Sequence, residues 1–166
     1  MYKRQSLIVQ GQKYQEYEVK AAFLERFTRF VEWPDSTLMK NFNKTFIIGV
    51  MGKSPISSIL ERDYAQRKIK GKKVEIRYIT ALKEIADCHM IYISYTEYKR
   101  IDQIESYIKN MPVLTVGDDK KYSGKGVQIT LFVENKHIYF EIDHDAVTRS
   151  GSVSYTHLTL PTNREV

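Results

Sequence analysis

The chain has 166 residues, 42% hydrophobic and 28% charged, with a formal net charge of +6. That length suits one domain whose core needs no metal or disulfide staple, and a lone cysteine, Cys88, excludes an intrachain disulfide. No apolar run reaches the roughly 20 residues of a membrane-spanning helix, so direct membrane insertion is not expected.

Residues 19–34, VKAAFLERFTRFVEWP, read as a helix. Val19, Phe23, Phe27, Phe30 and Val31 recur at three- and four-residue steps, Leu24 and Ala22 widen the stripe, and Glu25, Arg26, Thr28 and Arg29 take the other side. Pro34 biases Trp33 toward extended backbone, so the helix should span 19–32. After a polar connection at 41–44, residues 46–51 form a short apolar strand, and 57–66 a helix with Ile59 and Leu60 buried. Gly71 turns the chain into a strand at 74–79. A helical turn at 81–86, a strand at 90–94, a helix at 95–109 through Ile101, Ile104 and Ile108, and a strand at 113–116 follow.

Strands separated by helical connections predict a parallel sheet covered on both faces. The rhythm then changes. Val127, Ile129, Leu131 and Val133 alternate, residues 134–136 turn, and Ile138, Phe140 and Ile142 alternate back, which predicts an antiparallel hairpin at one edge. Asp143 is placed to cap a last short helix through Ala146 and Val147. The expected fold class is α/β, a single three-layer domain with a mainly parallel sheet and a C-terminal antiparallel hairpin.

Motifs with catalytic overtones fail on spacing. GVMGKS at 49–54 ends like a phosphate loop, but the position five residues before the second glycine is Ile47, inside the strand, so an ordinary strand-to-helix turn is expected. Cys88 and His89 are neighbours at a strand entry and should point to opposite faces, with no orienting acid in reach, so Cys88 reads as a packed thiol and not a nucleophile. Asp143, His144 and Asp145 lack further ligands at metal-site spacing. No catalytic residue, cofactor or metal is assigned. Asp118 and Asp119 fall at the carboxyl end of the fourth strand, where open α/β sheets place ligands, and form the candidate ligand loop. Lys68, Lys70, Lys72 and Lys73 concentrate positive charge at one turn, compatible with anionic head groups or an acidic partner. The topology does not match the common single-strand nucleic-acid readers, so no nucleic acid is expected.

A resemblance covers roughly residues 17–151. KAAFLERFTRFVEWP, then FIIGVMG at 46–52, GKKVEIRYI at 71–79, CHMIYIS at 88–94, VLTVGD at 113–118 and IYFEID at 138–143 resemble the YfiR-like family in the same order. Residues 1–5 and 152–166 look like translated sequencing-adapter sequence, the latter expected to be disordered, so the family-like body is 6–151, with 6–14 a connection ahead of the first helix. The resemblance implies a non-catalytic periplasmic regulator. It would bind and repress a membrane-bound diguanylate cyclase or a related sensor kinase through the sensor's periplasmic domain, acting as a homodimer in cyclic-di-GMP signalling. The signal peptide would then be lost with the natural N-terminus. In the family this cysteine often belongs to a disulfide, and Cys88 has no partner here. Glu25, Arg26 and Arg29 on the outer side of the first helix are the candidate partner contacts, with Trp33 at its exit either an added aromatic anchor or, as the commoner role, packed in the core. The alternative is a small-ligand-binding protein or small enzyme using the loops at the carboxyl edge of the sheet.

Overall fold

The computed structural model describes the backbone of residues 2–33, 45–150, 154–155 and 163–164, and side chains over 12–33 and 45–150. Helix α1 (Tyr2–Phe30) opens the chain. It starts well before the expected 19–32. The polar stretch ahead of Tyr17 carries no apolar stripe, yet is rich in good helix formers, and an established helix extends at one hydrogen bond per residue. It also ends two residues early. Val31 is β-branched and Trp33 is driven to extended backbone, so β1 (Val31–Glu32) takes over. Pro34 and the 41–44 connection lie outside the described residues.

Five strands run parallel: β2 (Thr45–Met51), β4 (Lys72–Ile79), β5 (Met90–Ile93), β6 (Leu114–Gly117) and β7 (Ile129–Glu134). The order across the sheet is β10 (Asn163–Arg164), β8 (His137–Ile142), β7, β6, β5, β2, β4 and β3 (Lys68–Ile69). At one edge β8 returns antiparallel to β7, and β10 adds to it. At the other, β3 folds back on β4. In the tail only β10 and β9 (Ser154–Tyr155), which pairs with β1, are described. The expected three-residue hairpin turn is tighter than that: Glu134 pairs with His137, leaving Asn135 and Lys136 at φ 50° and 64°. Two left-handed residues match the right-handed twist of the flanking strands.

Alternation along the strands sorts the core into two layers. Phe46, Ile48, Val50, Met90, Tyr92, Leu114 and Val116 meet α1 and α2 (Ile56–Tyr64). Ile47, Met51, Ile91 and Ile93 meet α3 (Ile101–Ile108) and the 3-10 turn Leu82–Asp87. The three-layer α/β expectation is met, including the hairpin. On α1 the buried stripe is Tyr17, Lys20, Ala21, Phe23, Leu24, Phe27 and Thr28, and Val31 continues it in β1. Ala22 faces out where Ala21 was not anticipated to face in. Thr28, expected outside, is buried with its hydroxyl donating to the Glu25 carbonyl at 2.6 Å, a bond that satisfies it without leaving the helix. Phe27 packs edge-on against Phe140 at 5.3 Å between centroids, tying α1 to the hairpin.

Candidate functional site at the carboxyl edge of the sheet

From β2 the chain crosses to β4 on one side, then returns past β2 to build β5 and β6 on the other. The carboxyl ends flanking that reversal are where such sheets open a crevice. Here it is filled by the protein itself. Ser94 Oγ donates to the Lys53 carbonyl at 2.6 Å, and a side chain at Gly52, held at φ 81°, would run into Thr96 and Glu97. The 49–54 segment is therefore a closed strand-to-helix turn, as its spacing indicated.

The polar centre lies one strand further on. Asp118 leaves β6 with its backbone N–H on the Ile93 carbonyl at 3.0 Å, and its carboxylate accepts from Lys20 Nζ at 2.5 Å. Both side chains are buried. Lys20 also stands over the Tyr17 ring, 4.7 Å from its centroid, and 3.7 Å from Glu16. Tyr92 on β5 completes the group; its hydroxyl and the second Asp118 oxygen are buried without closing a hydrogen bond of good geometry. Burial pushes the Asp118 carboxyl above its ordinary value, while the Lys20 ammonium opposes the shift. Burial, and then the Asp118 charge, also push the Tyr17 and Tyr92 hydroxyls up, so both stay protonated. The chemistry available is that of a buried charge pair ringed by phenol donors. It holds α1 on the sheet and offers no free base to a substrate. An open hollow of about 320 Å³ lies outside it, bordered by Lys13, Tyr95, Asp119, Lys120 and Phe132.

Of the candidate ligand loop, Asp118 is therefore internal, not solvated. Asp119 is half-buried and caps the 3-10 turn Lys120–Tyr122, accepting from the Lys121 N–H at 2.8 Å. Glu25 and Arg29 form an ion pair on α1 at 2.7 Å, Arg26 is half-buried beside them, and none of the three reaches the Asp118 group. Trp33 belongs to the interior: it is 5% exposed, its indole N–H donates to the His89 carbonyl at 2.9 Å, and its ring meets Phe46 edge-on. That placement withdraws it from the partner-contact set and gives it the core role.

Cys88 and His89 do point to opposite faces. The Cys88 thiol packs in the α3 layer, donates to the Glu84 carbonyl at 3.6 Å, and is pushed up to about 12 by burial. His89 stacks on Phe46 in the other layer and accepts the Ile47 N–H on Nδ1 at 3.0 Å. Asp143 caps the last helix, α4 (His144–Ser150), through the Ala146 N–H at 3.0 Å. Among the described residues no group of three metal-ligating side chains assembles, and no helix is long and apolar enough to cross a membrane.

Lys20 is a site residue that apolar periodicity alone does not single out. Its position was a readable signal, since it sits three after Tyr17 and four before Leu24, a cation inside an apolar stripe. Such a residue demands a buried partner.

The fold and its carboxyl edge define a three-layer α/β domain whose first helix is pinned by an internal ion pair. Residues 17–154 match the model of the YfiR/HmsC-like family, and the chain belongs to that family. No curated protein matches it.

Proposed function

We propose that this chain is a non-catalytic periplasmic regulator that binds, as a homodimer, the periplasmic domain of an inner-membrane diguanylate cyclase or related sensor kinase and represses it. Membership of the YfiR/HmsC-like family over residues 17–154 carries this reading. The state of the polar groups supports binding over catalysis: the thiol is buried and protonated, the buried phenols of Tyr17 and Tyr92 keep their protons, and the buried Asp118 carboxylate at the sheet edge is paired with Lys20. Glu25, Arg26 and Arg29 supply a charged outer face on a helix held rigidly from behind, which suits partner selection.

The test is capture of the periplasmic domains of sensors encoded beside the gene, by the folded protein and by Arg26→Glu and Arg29→Glu variants. Specific capture weakened by these substitutions is expected. Turnover of a small substrate by the purified protein, with no sensor captured, would overturn the reading.

A further inference from the structure

A second polar region lies at the opposite edge of the sheet, where α2 ends and the chain turns through β3 into β4. Tyr64, the last residue of α2, is 5% exposed, and its hydroxyl is buried without a hydrogen-bond partner. Three adjoining hollows of about 350, 430 and 460 Å³ all share Tyr64 and Arg67. The largest brings Arg29, Arg67, Lys68 and Lys70 together against a single carboxylate, Glu25, which is already paired with Arg29. Among the described residues, Arg67, Lys68 and Lys70 form no ion pair. Their backbone is not loose. Lys70 and Gly71 occupy the two left-handed positions of the β3–β4 turn, at φ 50° and 75°, and β3 pairs with β4 on either side of it.

We propose that this groove is a binding site for a ligand bearing two or more phosphate groups, with Tyr64, Arg67, Lys68 and Lys70 as its donors. Glu61 borders the smallest hollow and Glu18 and Asp63 the middle one, but the lining of the largest is rich in donors and poor in acceptors, the complement of an oxyanion. A guanidinium fork grips phosphate oxygens in pairs, and lysines add charge without demanding geometry. Burial first, and the Glu25 charge second, push the Tyr64 hydroxyl up to about 12, so it is a donor at neutral pH. A bound phosphate oxygen would satisfy this otherwise orphaned buried group. Hollows of this size suit a small phosphorylated molecule or a lipid head group. Glu25 and Arg29 border both this groove and the proposed partner face, whereas Tyr64, Arg67, Lys68 and Lys70 are assigned to the groove alone.

The experiment titrates the full chain with inorganic pyrophosphate, and separately with phosphatidylglycerol vesicles, at about 150 mM salt, where unspecific surface attraction is screened. Saturable binding of pyrophosphate is expected, weakened about tenfold or more by joint replacement of Arg67, Lys68 and Lys70 with alanine. The Tyr64→Phe variant keeps the ring and fold and should bind several-fold more weakly. Replacing the exposed Lys99 and Lys109, on the other layer, should change nothing. Vesicle binding with the same dependence on Tyr64 and the three cations supports the site and identifies a lipid source. No saturable binding of either probe overturns the proposal. So does binding that is unchanged in the variants, or binding of a polyglutamate peptide in place of both.

Discussion

Lys20 and Asp118 are separated by 98 positions in the chain, and their pairing fixes how α1 lies on the sheet. Removing one partner strands a buried charge. Lys20→Met should therefore cost about 3–5 kcal/mol in urea unfolding, whereas Lys20→Met combined with Asp118→Leu should cost far less than the two single changes together. The pH dependence has a defined sign. Burial raises the folded Asp118 above its ordinary 3.8, so between that value and the folded one the native state binds more protons than the unfolded chain. Stability relative to Asp118→Asn should fall as pH rises through that window and level off above it. Stability that instead rises with pH there would mean that the Lys20 ammonium outweighs burial. Cys88 offers a second check at this scale. With its thiol near 12 and no access to solvent, native protein should resist iodoacetamide until it unfolds. Cys88→Ser should lower stability and leave partner capture intact in the folded fraction.

At the scale of elements, α1 and the β7–β8 hairpin hold each other. Phe27→Ala, at a fully buried position against Phe140, should cost about 3–5 kcal/mol in thermal or urea unfolding. Lys136→Gly relieves a left-handed residue in the hairpin turn and should raise stability by about 0.5–1 kcal/mol. The parallel strands were legible because each is a short run of β-branched and aromatic residues bounded by helical spacing. The hairpin was legible because alternation on both sides of Glu134 to Lys136 has one simple solution. The start of α1 was not, since residues without an apolar stripe give periodicity nothing to count. Nor was β3, whose two residues fall below any repeat. Asp118 was placed correctly at a strand end, but its burial depended on Lys20, and a pairing between distant segments leaves no local signature. Trp33 followed the commoner fate of tryptophan, an apolar body in the core with its N–H on a carbonyl.

For the whole molecule, the ordered strand and helix motifs carried the family, and the structure supplied what those motifs cannot express: a filled crevice, a locked charge pair and a basic groove at the far edge. Together they describe a rigid body that presents surfaces and keeps its reactive groups occupied. Binding specificity on such a body resides in exposed charges, while its core substitutions act through stability. Repression of a membrane cyclase is the proposal from which the other functional expectations follow. The direct measurement is cyclic-di-GMP synthesis by a neighbouring cyclase reconstituted in membranes, with the folded protein added on the periplasmic side. The account predicts a dose-dependent fall in synthesis that Arg26→Glu and Arg29→Glu weaken. Synthesis that stays constant at saturating protein, for every cyclase encoded beside the gene, would contradict it.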